Sequence, residues 1–560
     1  MVAEQGVHAI CDRFVDDWAE ADPVVATTLG LDGRDDRLTD YSPAGHDRRA
    51  EIARTALRAI RAARPTDERE RIAQAVFDER VGLELELHDA GLTQAALNVI
   101  ASPVQDIRMV FDLMDTATAD DWATVAKRLA AVPATLDGLR QALLSSAQHG
   151  RVSALRQLRK TADQADTWAG LHDGKGYFTT FASAADAVPG APVDEVDRAA
   201  RSAQRAYAEF AGFLRAELAP HAPVRDAVGE EIYGLWSRYF TGAHLDLREA
   251  YAWGWDEFSR IETEMLAVAA RIAPGATLAE TATALDAHPK YRVRGRAAFE
   301  DWMQGLSDHA LDSLRGKHFD IPDALMTLEC SIAPPGGGVG AYYTGPSADF
   351  GRPGRMWWSV PADKEEFSTW REVSVVYHEG VPGHHLQVAT AVHEAETLNK
   401  YQRMMSFTDG HGEGWALYAE RLMAELGYIG DDGDLFGMLS ELLFRAARVV
   451  VDIGMHLELE IPAGTGFHVG ERWTPGLGLE FLLSRTVTDR DHVRDEIDRY
   501  LGWPGQAPAY KLGERLWLTA RDEARARAGN SFDLKDFHTR ALKMGGMGLD
   551  TLRAQLAAMG

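Results

Sequence analysis

The sequence predicts a mainly α-helical protein with one small antiparallel sheet, and three observations carry that expectation. Long stretches place apolar residues three and four apart among charged ones, the period of a helix buried on one face. One segment, 327–360, interrupts that period with Gly/Pro clusters between short β-branched and aromatic runs, the pattern of strands joined by turns. Apolar residues at 46% and charged residues at 26% are those of a globular chain, and 560 residues are enough to bury a sizeable core.

Taken in order, helical spacing is expected over 47–63, 72–87, 122–147, 197–218, 247–272 and 297–314, with a break near Pro133 because proline removes a ladder hydrogen bond. The sheet follows at about 325–360, then helices within about 365–426 and another at 436–457. No fixed-period repeat and no Ser/Gly-rich linker marks a boundary. Residues 1–250 therefore read as a helical region walling a cleft and 251–560 as the region carrying the chemistry, in one continuous structural unit.

Charge and cysteine content exclude several functions. The net charge of −26, from 59 basic and 85 acidic residues, repels phosphate backbones and anionic lipid, so neither nucleic acid nor a membrane is an expected partner. Two cysteines, Cys11 and Cys330, are too few for a disulfide framework or a cysteine-rich zinc module. Any metal would have to be held by histidines and carboxylates. The N-terminal stretch mixes acidic and apolar residues without a basic and then an apolar region, and no apolar run approaches the ~20 residues that span a bilayer, which points to a cytoplasmic protein. Gly336-Gly337-Gly338 lacks a following G-K-[ST] and cannot be read as a phosphate loop.

The stretch from Glu365 to Gln387 carries the chemistry. Trp370, Val373, Val376 and Tyr377 have helical spacing and lead directly into His378-Glu379. In zinc hydrolases of the H-E-x-x-H type, two imidazoles one turn apart share the metal and the adjacent Glu acts as base. Here the next histidines, His384 and His385, follow at six and seven residues. In an unbroken helix the first would point about 240° away, and the second would lie about 10.5 Å along the axis. The intervening Gly380-Val381-Pro382-Gly383 cannot continue a regular helix, so the chain must bulge. Two looped-out residues would bring in His384 and three would bring in His385; His384 is preferred as ligand, with His385 beside the site.

A third ligand is expected from a later helix, and the stretch from His411 to Gly427 supplies one. Glu413 at its start is the candidate, and Glu420, two turns on, suits the acceptor of a ligand imidazole N–H. The plain alternatives are histidines capping a helix end and carboxylates on a solvated face. For the oxyanion that develops in amide hydrolysis, Tyr510 is the candidate donor, with Tyr342 and Tyr343 as alternatives. Arg448, Asp452 and His456 share one helix face and read as a solvated salt-bridge ladder; Arg448, His456 and His538 could instead face the substrate.

The ordered motifs HEGVPGHHLQ, EGWALYAE, RAARVVVDIGMH, RYLGWPGQAPAYKLG and FDLKDFHTRAL resemble those of the bacterial domain-of-unknown-function 885 family over essentially the whole chain. The resemblance implies a zinc metallopeptidase similar in outline to the helical gluzincins, such as carboxypeptidase Taq, thimet oligopeptidase and angiotensin-converting enzyme. It implies one Zn2+ held by His378, His384 and Glu413, with Glu379 as base. After His456 the chain departs from the family pattern, continuing LELEIPAGTGFHVGERWTPG, so substrate choice could differ from that of relatives. The expected function is a zinc-dependent hydrolase of peptide or related amide bonds. The alternatives are a zinc amidase or deacylase acting on a small specialised metabolite, and a non-catalytic metal-binding helical protein.

Overall fold

A computed structural model describes residues 6–172, 174–333, 340–361 and 363–558. Helices are numbered along the chain from α1 (Val7–Ala21) to α23 (Leu549–Ala558), and strands from β1 (Arg292–Arg294) to β5 (Glu366–Ser368). The protein is mainly α, as its periodicity implies. Gly336-Gly337-Gly338 lies outside the described residues. No helix among the described residues is long and apolar enough to cross a membrane.

Two compact units emerge. One comprises Met1–Arg64, Val81–Val228 and Asp495–Trp503; the other comprises Pro65–Arg80, Gly229–Arg494 and Pro504–Gly560. The division falls near residue 229 rather than 251, and segments of each half of the sequence enter the other's unit. Periodicity cannot reveal such an exchange, because it reports which face is buried and not against what.

The first unit is built on α6 (Ala119–Gln148) and α9 (Val193–Phe213). Trp122, Val125, Leu129, Val132, Leu136, Leu139 and Leu143 recur along α6 at helical spacing and are buried. A capping box between Thr118 and Asp121 starts the helix. The break expected at Pro133 does not occur: α6 runs through it. Proline removes one backbone bond, but the buried side chains on both sides of it hold the helix to its neighbours, and that packing outweighs the local cost of about 3 kcal/mol.

The second unit carries the site. Its helices α11 (Leu247–Ile272) and α18 (Asp432–Leu457) lie side by side, as do α17 (Asp409–Glu425) and α21 (Ala509–Ala528), and α14 (Thr369–Glu379) packs on α18. The α17–α21 approach depends on paired glycines: a Cβ on Gly414 would lie 2.5 Å from Gly513 Cα. The small sheet has the order β2 (Leu328–Ile332), β4 (Gly354–Ser359), β3 (Gly340–Thr344). β3 and β4 form the expected antiparallel pair, with Tyr342 opposite Trp357 and Tyr343 opposite Met356. The chain passes through β3 before returning as β4, so β2 and β4 run the same way and pair in parallel. β5 pairs with β1 and leads straight into α14.

Candidate metal centre

α14 exists because Trp370, Val373, Val376 and Tyr377 bury one helical face. It stops at Glu379, since the next four residues cannot extend it. A Cβ on Gly380 would lie 2.6 Å from the Val376 carbonyl oxygen, and one on Gly383 would lie 1.9 Å from that of His378. Pro382 has no N–H and follows a cis peptide bond. The helix is thus interrupted rather than bulged, and α15 (His384–His393) begins immediately after the four residues. Trp415 Nε1 on α17 donates to the Pro382 carbonyl at 2.9 Å, and Gly383 N donates to the Tyr377 carbonyl at 3.0 Å. The turn brings the His384 and His378 rings to 4.9 Å between centroids.

Among the described residues, one group of three has ligating atoms mutually within 4.8 Å: His378, His384 and Glu413. Glu413 Oε2 lies 3.2 Å from His378 Nε2 and 3.4 Å from His384 Nε2. Two donors about 2.0–2.1 Å from one tetrahedral ion are separated by about 3.3 Å, so these spacings fit a shared metal. Glu420, fully buried, accepts from His378 Nδ1 at 2.8 Å. That bond places the Nδ1 proton and leaves Nε2 as the ring nitrogen facing Glu413 and His384, the atom that can ligate a metal once its own proton is lost.

The electrostatics concentrate here. Burial disfavours a charged His378, but hydrogen bonds to Glu413 and Glu420 outweigh it and raise its pKa to about 10. Burial would raise Glu413, but the imidazoles of His384 and His378 hold its carboxyl well below the usual range. Glu379, next to the cluster and 7% exposed, is raised by burial against the pull of His378 and His384.

Other residues singled out from the sequence fall into place differently. His385 faces away from the cluster: its Nε2 donates to the Leu325 carbonyl at 2.9 Å, and its Nδ1 meets Tyr343 Oη at 3.0 Å, tying α15 to β3. Both ring nitrogens are thereby used, and burial lowers its pKa to about 4. Tyr342 is on the outer face of the sheet, half-exposed and stacked on Trp357. His538 is in an aromatic core, with Nε2 bonded to Tyr418 Oη at 2.7 Å and its ring stacked on Phe319, so it does not join the site.

Arg448, Asp452 and His456 are not a solvated ladder. All three are buried, because α18 is covered by α14 on one side and α11 on another. Asp452 Oδ2 accepts from Tyr233 Oη at 2.6 Å and from Gly505 N at 2.9 Å. It thereby ties down the turn that precedes Tyr510, and His456 Nε2 stands 3.9 Å from its other oxygen. Arg448 lies over the Tyr510 ring at 4.9 Å. Reading the sequence missed Arg445, one turn before Arg448 on the same face. Its side chain is 11% exposed and within electrostatic reach of Glu420, Glu413 and Tyr510. The signal was present, since Glu441, Arg445, Arg448, Asp452 and His456 repeat at three- and four-residue spacing.

Comparison with known proteins follows the same outline. The family model for "Bacterial protein of unknown function (DUF885)" matches residues 23–556, and the chain belongs to that family. A crystal structure described as a putative lipoprotein from Colwellia psychrerythraea is similar with a TM-score of 0.84 and 22% identity, over 99% of this chain and 98% of that one. A second, described as a putative lipoprotein of unknown function from Shewanella oneidensis, has a TM-score of 0.74 and 16% identity, over 99% and 100%. At these identities the likeness establishes the fold alone. No curated protein matches the chain.

Proposed function

We propose that this member of the family is a zinc-dependent hydrolase of peptide or related amide bonds, a metallopeptidase of helical gluzincin type. The single observation that carries this reading is the three-donor cluster with Glu379 beside it. Two imidazoles and one carboxylate, at separations suited to one tetrahedral ion, leave a position for water or substrate; a purely structural zinc is normally closed by a fourth protein ligand and needs no base. Glu420, holding His378 by Nδ1, is the kind of outer partner such sites use.

A zinc ion held by His378, His384 and Glu413 would supply Lewis acidity at the scissile carbonyl and acidify a water there toward a pKa of about 7. Glu379 takes the proton of the attacking water, whose oxygen bonds to the carbonyl carbon. The C–N bond then breaks, and the proton passes from Glu379 to the leaving nitrogen, giving a carboxylic acid and an amine. Burial that lifts the Glu379 carboxyl above its usual range suits a group that must both accept and return a proton. Tyr510, at the start of α21 and against Arg448, is the proposed donor to the carbonyl oxygen as it becomes negative.

The test is hydrolysis of a mixed peptide library by the zinc-loaded chain, with the metal-free chain and Glu379→Gln in parallel. Cleavage by the loaded wild type, about a hundredfold or more weaker in Glu379→Gln with zinc retained, is the expected result. Hydrolysis of small N-acyl amides but not of peptides would favour the amidase or deacylase reading. No turnover of either with zinc bound would leave a metal-binding protein without catalysis. A cytoplasmic location is proposed with this function, although both structural neighbours are described as lipoproteins. Fractionation of expressing cells decides between the two.

A further inference from the structure

Among the described residues, Arg445 makes no hydrogen bond that ties its helix to another element, although its side chain is largely withdrawn from solvent. Its Nη1 donates to the carbonyl and carboxylate of Glu441, one turn back on its own helix, so the bond joins α18 to nothing else. Its Nε is buried without a hydrogen-bond partner among the described residues. A guanidinium keeps its charge when buried, and leaving one of its donors unmade costs free energy that a hydrophobic residue would not. Of the carboxylates near it, Glu413 and Glu420 each engage an imidazole, Glu420 keeps one buried oxygen without a hydrogen-bond partner among the described residues, and Glu379 stands beside the cluster; none accepts a hydrogen bond from Arg445 among the described residues. Arg448, three residues on, adds a second guanidinium over Tyr510.

Resting on the hydrolase reading above, we infer that Arg445, with Arg448 one turn on along α18, is the anion-recognising group of this site and selects substrates bearing a carboxylate next to the scissile amide. The substrate class is thus peptides cut at their carboxyl terminus, or N-acyl amino acids. A carboxylate offers two coplanar acceptors that match the planar guanidinium fork, whereas a C-terminal amide offers one acceptor and two donors. Arg445 is within electrostatic reach of the ligand Glu413 and of Glu379, on a helix packed against α14 and α17, so a carboxylate held there would direct the adjacent amide toward the metal centre.

The test separates binding from catalysis by using the full-length metal-free chain, in which no metal competes for the carboxylate. N-acetyl-dialanine and its C-terminal amide are titrated calorimetrically into wild type, Arg445→Met and Arg445→Lys, each first checked for native helicity and a cooperative thermal transition. Wild type is expected to bind the acid about tenfold or more tighter than the amide. Arg445→Met should lose that preference, and Arg445→Lys, which keeps the charge without the fork, should regain only part of it. Equal binding of acid and amide by wild type, or no binding of the acid at millimolar concentration, overturns the inference. An unchanged preference in a folded Arg445→Met also overturns it. If the acid binds through Arg445 but the zinc-loaded chain hydrolyses neither compound nor any library peptide, the anion site stands and the hydrolase reading fails.

Discussion

Two arginines largely withdrawn from solvent, one in each unit, are used in opposite ways. Arg128 on α6 is fully buried; its Nε donates to the Arg37 carbonyl at 2.9 Å, and its Nη2 donates to Thr27 Oγ1 at 2.8 Å and the Arg34 carbonyl at 3.2 Å. Only Nη1 lacks a partner among the described residues. Those acceptors lie about ninety or more residues away in sequence, so the side chain staples a distant loop to the helix. Among the described residues Arg445 on α18 hydrogen-bonds only within its own helix, and it is within electrostatic reach of the carboxylates of the candidate site. A buried charge whose hydrogen bonds close the tertiary structure is explained by stability. One whose bonds stay local, beside a base and a metal-ligating set, is explained by what it can bind.

The largest effect that sharpens this contrast is on stability in the first unit. Arg128→Met strands several carbonyls and should cost about 3 kcal/mol in urea unfolding, read from the transition that reports on that unit. A loss below about 1 kcal/mol would remove the staple from the account. Next comes Glu420→Gln. A neutral acceptor at His378 Nδ1 should weaken zinc affinity by about 10- to 100-fold in chelator competition, with little change in the stability of the metal-free chain. Equal affinities would mean that the His378–Glu420 bond does not tune the ligand.

A pH effect in the first unit is smaller. Burial, and then the neighbouring Asp22, raise the Asp106 pKa to about 7. Between the unfolded value near 3.9 and about 7, the folded chain holds a proton that the unfolded chain has released. Stability therefore falls as pH rises through that window, and the penalty is complete above it. Asp106→Asn should gain about 1 kcal/mol on wild type at pH 8 and nothing at pH 4, measured by urea midpoints at the two pH values. A pH-independent difference would place the effect elsewhere. The smallest change expected is in Arg445→Met without metal, less than about 1 kcal/mol, because Glu441 is partly exposed and can be solvated alone. A loss as large as that of Arg128→Met would make Arg445 a second staple and end the comparison.

Much of this was legible from residue spacing. The expected helix 247–272 matches α11 to the residue, and Glu420 was expected to accept from a ligand imidazole, which the structure shows to be that of His378. The inability of Gly380–Gly383 to stay helical left His384 and His385 both open, with His384 preferred and favoured by the family resemblance; the structure brings His384 to Glu413 while His385 bonds Leu325 and Tyr343. What spacing could not convey was environment. The face of α18 carrying Arg448, Asp452 and His456 has the pattern of a solvated ladder, and only packing against α14 and α11 makes it interior. The same blindness hid Arg445 and drew His538 into the site, because a lone histidine in an amphipathic helix reads alike whether it faces a metal or Phe319 and Tyr418. Pro133 failed in the other direction, a local breaker overridden by buried neighbours.

The central claim is that the interrupted helix builds a metal centre from His378, His384 and Glu413, and metal content by mass spectrometry tests it most directly. Wild type, His384→Ala, His385→Ala and Glu413→Ala are each purified, dialysed against zinc and then against buffer, and measured. One zinc per chain in wild type and in His385→Ala, with loss in His384→Ala and Glu413→Ala, is the predicted result. Zinc retained in all three variants, or absent from wild type, would contradict the assignment and return the HEGVPGHH stretch to the role of a helix end.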